Sequence, residues 1–225
     1  MMNVKIYPHN ENRHGINYGV AYPDQYEDLP LIVYLHGAGE RGENFPHLYR
    51  HAIPKLIADG REIPAVVLFP QCPAWAVWDN VVTLVKAVID DVVAEYGIRA
   101  DRISITGSSM GGFGTWMMGV TYPSFFAGIA PIAGGNMSWR ALRLVNTPVL
   151  AYHGAEDTAV PPIYSRLMVD AVNESGGNAR LVMLEGFGHN DGINYAYRET
   201  ELIDWLVAQR RTNFDRIPDA CEKYF

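Results

Sequence analysis

A serine that acts as a nucleophile at neutral pH needs a base within hydrogen-bond reach and a third group to hold that base in one tautomer. Three places in the chain offer such a set. Ser109 sits in Gly107-Ser108-Ser109-Met110-Gly111, a G-x-S-x-G turn that follows a β-type run over residues 102–106. A strand turning sharply into a helix requires small neighbours beside its central residue, because a Cβ at Gly107 or Gly111 would collide with adjoining backbone. The turn leaves one hydroxyl exposed at the strand's carboxyl end, and the amides of the following helix point toward it, able to stabilise negative charge. An acid follows at Asp157, with Glu156 as its rival, in His153-Gly154-Ala155-Glu156-Asp157. A histidine, His189, follows in Gly186-Phe187-Gly188-His189, where flanking glycines make a loop that can carry an exposed imidazole. The chemistry implied is nucleophilic attack on a carbonyl; a G-x-S-x-G turn taken alone reads equally as a tight glycine turn with no chemistry.

Other chemistry-bearing residues fit less well. His36 opens a glycine-rich loop, His36-Gly37-Ala38-Gly39-Glu40-Arg41-Gly42, directly after an apolar run. The lysine and hydroxyl of a P-loop are missing and G-x-G-x-x-G does not occur, so oxyanion binding suits this loop better than a phosphate cradle. His36 and His153 read as structural hydrogen-bonding residues, and His9, His14, His47 and His51 lack supporting context. No histidine pair has the spacing of a helix-borne zinc motif, so neither metal nor cofactor is expected. Trp75 and Trp78, beside Gln71 and Cys72, read equally as core lids or as walls of a substrate pocket. Cys72 and Cys221 are expected to be unpaired thiols.

These groups need elements to hold them. Residues 16–22 alternate like a half-buried strand ending at Pro23, which suggests an antiparallel edge. Residues 31–35 and 65–70 are almost wholly apolar, as strands covered on both faces are. Helical spacing appears over 46–59, over 81–96, where Val81, Val85, Val88, Val92 and Tyr96 fall three or four apart before Gly97, and over 113–122. Strands are expected at 126–133, 148–153 and 180–184, and helices at 163–174 and 195–209. This alternation predicts an α/β fold: a mainly parallel sheet with helices on both faces and functional groups gathered at the carboxyl ends of the strands. Residues 210–225 show no clear period and read as an irregular tail on one domain spanning 1–225.

Composition bounds the partners. At 225 residues and 48% hydrophobic content there is enough apolar side chain for one substantial core. The net charge of -7, without long single-sign runs, argues against nucleic acid or an anionic membrane as partner and leaves a small molecule. No segment has the length of a signal-peptide core or a membrane span, so a cytoplasmic location is the expectation, a removed secretion signal being the alternative.

Taken together, His36-Gly37-Ala38-Gly39, Pro70-Gln71-Cys72-Pro73, Asp101-Arg102-Ile103, Gly107-Ser108-Ser109-Met110-Gly111-Gly112, His153-Gly154 with Asp157 and Val160-Pro161, and Gly188-His189 resemble the α/β-hydrolase superfamily. The branch is the small lidless one that includes carboxylesterases, dienelactone-hydrolase-like proteins and bacterial feruloyl esterases, and the resemblance runs over residues 16–209. It implies a Ser109, Asp157, His189 triad with an oxyanion hole from the backbone amides of Met110 and Ala38. Dienelactone hydrolases proper carry a cysteine nucleophile where this chain has Ser109, which points to a general ester hydrolase. Where the superfamily inserts a cap domain, only residues 134–147 are available, so an open site is expected, taking short-chain or aromatic acyl esters. Two other readings use the same fold: a serine peptidase of prolyl-oligopeptidase type, whose usual gating domain does not fit in 225 residues, and a noncatalytic binding protein, which would normally have lost a triad residue.

Overall fold

The computed structural model describes residues 1–215. Strands β1 (Asn3–Tyr7), β2 (Tyr18–Tyr22), β3 (Leu31–Leu35), β4 (Val66–Pro70), β5 (Ile103–Ser108), β6 (Gly128–Ile132), β7 (Val149–Gly154) and β8 (Ala179–Leu184) form one sheet. Their spatial order is β1-β2-β4-β3-β5-β6-β7-β8. The two strands at the amino-terminal edge pair antiparallel, and everything from β4 to β8 is parallel. Helices α1 (Ala52–Ala58), α2 (Val82–Tyr96), α3 (Met110–Thr121), α4 (Ile163–Glu174), α5 (His189–Glu199) and α6 (Leu202–Ala208) cover the two faces.

Side-chain alternation explains the layering. In β3, Leu31, Val33 and Leu35 enter one core while Ile32 and Tyr34 enter the other, and β4 divides the same way, Val66 and Leu68 against Val67 and Phe69. The first core is closed by Val85, Val88 and Ile89 of α2, Trp116 of α3 and Met168 of α4. The second is closed by Ile53 of α1, Ile193 and Tyr197 of α5 and Leu206 of α6. A continuous apolar strand therefore signals helices on both sides, which is why β3 and β4 were legible as doubly covered.

The structure differs from the sequence expectations at three places. The run at 16–22 is not an edge: β2 lies between β1 and β4, and the true edge strand β1 is mostly exposed, with Val4, Lys5 and Ile6 giving no alternation to read. The helix over 46–59 is broken into a 3-10 turn, Phe45–Arg50, and α1, because His51 is extended and Ala52 takes a positive φ. The final helix starts earlier and is two helices. Thr200, extended at φ -117 and ψ 173, ends α5, and its hydroxyl accepts from the Leu202 amide to open α6. Between β6 and β7 stands only a 3-10 segment, Ser138–Leu144, which buries Ala141 and Leu144 and leaves Trp139 exposed, so no cap covers the strand ends among the described residues. Of the tail at 210–225, residues 216–225, with Cys221, lie outside the described part. Among the described residues no helix is long and apolar enough to cross a membrane.

Candidate active site

At the carboxyl end of β5 the chain reverses into α3 through Ser109, which is held at φ 56 and ψ -118. Such a conformation is strained for a residue with a side chain and persists only where its surroundings impose it. They do so by close backbone packing. A Cβ on Gly111 would overlap the Leu35 carbonyl of β3, and one on Gly107 would overlap Gly111 O, so α3 sits directly on the strand ends. The Ser109 amide donates to Ile132 O of β6 (2.9 Å) and its carbonyl accepts from the Phe113 amide (3.1 Å). Backbone contacts on three sides thus fix where Oγ points.

Oγ points at His189. The Ser109 hydroxyl lies 2.9 Å from Nε2 of His189, and Nδ1 of the same ring lies 2.6 Å from Oδ2 of Asp157. His189 is not in the middle of a loop, as its flanking glycines suggest; it is the first residue of α5, with extended Gly188 before it. Its loop is stitched to the Asp157 loop: the Ala155 amide donates to Leu184 O and the Glu156 amide to Phe187 O, both at 2.9 Å. Asp157 is buried, and its Oδ1 accepts from the amides of Ala159 (2.9 Å) and Val160 (2.8 Å), which leaves Oδ2 to His189. Glu156, the rival acid, is exposed and makes no side-chain contact with the ring. With Asp157 ionised, Nδ1 carries the proton and Nε2 faces the serine as an acceptor.

Two further histidines hold this arrangement in place. His153 at the end of β7 is buried, donates from Nε2 to Val160 O (2.8 Å) and approaches Asp157 Oδ2 at 3.3 Å, so it braces the acid loop; burial lowers its pKa. His36 at the end of β3 donates from Nδ1 to Gly37 O (2.6 Å) and accepts at Nε2 from the Cys72 amide (2.9 Å). Both nitrogens are used by a neutral ring, and burial pushes its pKa down to about 4. The sequence reading of both as structural residues matches these partners.

The remaining predicted site residues fall as follows. Met110 opens α3 and Ala38 opens the 3-10 turn Ala38–Glu40, positions whose N–H groups have no partner inside their own helix. The Gly37 Cα lies against Ser109, since a Cβ built on it would stand 3.8 Å from that of the serine. Trp78 is no pocket wall: it is 1% exposed, and its indole donates to His36 O (2.9 Å), pinning the glycine-rich loop from inside. Trp75 is 80% exposed and lines a separate cleft with His9, Asn17 and Gln71 that holds none of the three residues around Ser109. Cys72 is a buried free thiol whose pKa is pushed up to about 12 by burial.

Ser109 lines one hollow, and a second lies beside its neighbour Met110. One, of about 230 Å³, is lined by Gly37, Ala38, Gly39, Glu40, His51, His189, Asn190, Ile193 and Asn194. The other, about 340 Å³ and more apolar, is lined by Val77, Asp79, Met110 and Phe113. Glu40 and His51 carried no signal in the sequence, because Glu40 reads as part of the glycine-rich loop and His51 stands alone between two turns.

A family model described as Phospholipase/Carboxylesterase matches residues 74–194, more than half of the chain. Over 51 residues the chain is 47% identical to poly(3-hydroxyalkanoate) depolymerase C of Paucimonas lemoignei, a match that covers 23% of this chain and 12% of that protein. A thermostable esterase of known structure is similar at 29% identity and a TM-score of 0.72, over 93% of this chain and 63% of the other. The feruloyl esterase module from Clostridium thermocellum, solved with sinapinate, shares the fold at 18% identity and a TM-score of 0.70, covering 96% and 91% of the two chains. This chain therefore spans only part of the length of the first two of these relatives.

Proposed function

Because the chain belongs to the phospholipase/carboxylesterase family of α/β-hydrolases, we propose that it is a serine ester hydrolase, with Ser109 as nucleophile, His189 as base and Asp157 as the group that orients the base. The observation that carries this reading is the continuous hydrogen-bonded line from Ser109 Oγ through His189 to Asp157, at 2.9 and 2.6 Å. In the first half-reaction Oγ attacks the ester carbonyl as its proton passes to Nε2 of His189, while the carbonyl oxygen, now negative, is received by the amides of Met110 and Ala38. His189 returns the proton to the departing alcohol oxygen, leaving an acyl group on Ser109. Water, deprotonated by the same nitrogen, releases the acid and restores the serine.

The leaving alcohol must reach Nε2, so it occupies the hollow lined by His189, Asn190 and His51, and the acyl group turns toward Met110 and Phe113. With no cap over the strand ends among the described residues, that acyl side suits short-chain or aromatic acyl groups. The test is intact-protein mass spectrometry after exposure to a p-nitrophenyl ester or a phosphonofluoridate, together with turnover. The wild-type chain should take up one acyl or phosphonyl group on Ser109, and Ser109→Ala should lose at least a thousandfold in turnover while keeping its fold. Retention of a tenth of the activity by Ser109→Ala would overturn the assignment.

A further inference from the structure

The Ala38 amide sits on a segment with little means of holding its own shape. Residues 37–44 include Gly37, Gly39 and Gly42, and their regular structure amounts to the 3-10 turn Ala38–Glu40. What fixes them comes from the end of β4. The Gln71 side chain is 1% exposed and gives both protons of Nε2 to the segment, one to Glu40 O (2.9 Å) and one to Asn44 O (3.0 Å). Its Oε1 accepts from Nδ2 of Asn17 (2.9 Å), which donates its other proton to Glu43 O (2.9 Å). Asn17 is buried as well, and its Oδ1 accepts the His9 amide (2.8 Å). All four side-chain amide protons are engaged and each amide oxygen accepts, so neither group can turn end for end without setting oxygen against oxygen.

The next residue completes the hold. The Cys72 amide donates to His36 Nε2 (2.9 Å), and Cys72 O accepts from the Gly42 amide (2.9 Å). With Nε2 an acceptor, the His36 proton is on Nδ1 and goes to Gly37 O (2.6 Å). That carbonyl shares a peptide unit with the Ala38 N–H, and in a trans peptide the two point in opposite directions, so holding one aims the other. Gln71 and Cys72 thus grip the loop on both sides of the Ala38 amide, through His36 ahead of it and through residues 40, 42 and 44 behind it. Gln71 itself lines the cleft it shares with Trp75 and not the hollow at Ser109, so it has no route to a bound ester. A donor for a developing oxyanion must be in place before the charge appears, and a displacement of about 1 Å costs about a hundredfold. Resting on the reading that this is a serine esterase, we propose that Gln71, oriented by Asn17, is a positioning residue of the oxyanion hole, holding residues 40–44 so that the Ala38 N–H meets the charged oxygen.

The test is Gln71→Ala, measured for kcat and KM on p-nitrophenyl acetate, for inhibition by 1,1,1-trifluoroacetone and for thermal unfolding. Ser109 Oγ adds to the ketone carbonyl as its proton passes to His189, leaving a hemiketal oxyanion in the same hole. Both Asn17 and Gln71 line the open cleft, so water can reach the freed carbonyls and the variant should fold. Both half-reactions pass through an oxyanion, so kcat should fall by at least about tenfold with KM within about threefold, and Ki for the ketone should rise by the factor that kcat falls. The pH midpoint of kcat/KM should stay at its wild-type value, because His189 and Asp157 keep their partners; general loosening of the site would move it. In a folded variant, a smaller loss of kcat, a loss carried by KM, an unchanged Ki or a moved midpoint would overturn the positioning role and leave the esterase standing. If Gln71→Ala does not fold, Asn17→Ala decides by the same readouts: it leaves Gln71 its donors but removes what orients them, and a kcat loss under about threefold would overturn the role. Absence of Ser109-dependent hydrolysis by the wild type would overturn both readings.

Discussion

Asp157→Asn is expected to lower kcat for p-nitrophenyl acetate by about ten-thousandfold, which corresponds to about 5.5 kcal/mol of transition-state stabilisation. The size follows from which oxygen does what. Oδ1 accepts two backbone amides, from Ala159 and Val160, so an asparagine must place its own oxygen there, because its amide nitrogen cannot accept them. The NH2 group is then forced into the place of Oδ2, 2.6 Å from His189 Nδ1. A donor at that position demands a bare Nδ1, the proton moves to Nε2, and the ring presents Ser109 with an N–H where a lone pair is required. The loop geometry survives, since both amide bonds remain, so unfolding should shift by only about 1 kcal/mol. Glu156→Gln is the control: Glu156 is exposed, and its loss should change kcat by less than about threefold. The assay is steady-state turnover of both variants beside thermal unfolding. A loss below tenfold for Asp157→Asn, or an equal loss for Glu156→Gln, would refute the tautomer argument.

Two further outcomes are expected. Stability should fall as pH drops through the window from about 6.5 to about 4: the unfolded chain binds a proton at His36 near its ordinary value, the fold resists until about 4, and the difference removes about 3 kcal/mol by the lower limit. His153, also lowered by burial, adds in the same direction, and urea titrations at pH 7, 6, 5 and 4.5 should show His36→Asn flattening the slope by about one proton. For acyl chain length, burying four more methylenes from butyrate to octanoate would be worth about 3 kcal/mol in a closed tunnel. The open wall of Val77, Met110 and Phe113 should return less than a third of that, and kcat/KM for p-nitrophenyl esters should peak at or below butyrate with no jump above the micellar limit. A maximum at palmitate would contradict it.

How far the sequence was readable depended on whether a residue's role is enforced by its own neighbours. The Ser109 turn was visible because Gly107 and Gly111 have no room for a Cβ, a constraint that local sequence must meet. Strands β3 and β4 were visible because double burial leaves an unbroken apolar run, and β5 because β-type residues lead straight into the glycine turn. The edge strand β1 was not, since its pairing with β2 is made by backbone and leaves Val4 and Ile6 in solvent. The break at Thr200 was missed because Ile203 and Leu206 continue an apolar spacing that looks like one helix, while the hydroxyl that joins the two helices acts only on backbone, donating to Ala196 O and accepting from the Leu202 amide. Trp78 could not be told from Trp75 without knowing which of them finds a hydrogen-bond partner inside. Glu40 and His51 are the extreme case. Their proximity depends on how a 3-10 turn and the residue ahead of α1 come together, and neither has a spacing to betray it.

Ser109 is carried by the layer of helices on one side of the sheet and His189 by the layer on the other, for α3 packs into the core of Trp116 and Val85 while α5 packs into the core of Ile193 and Tyr197. Their 2.9 Å contact is therefore a gauge of alignment between two cores that share nothing but the sheet. A hydrogen bond tolerates a few tenths of an ångström, far less than either core can shift before its spectroscopic signal changes. Loosening of one layer by heat, cosolvent or a distant cavity should thus silence turnover while most of the secondary structure is intact, and substitutions that repair activity need not lie near Ser109; tightening either helix against its own face of the sheet would suffice.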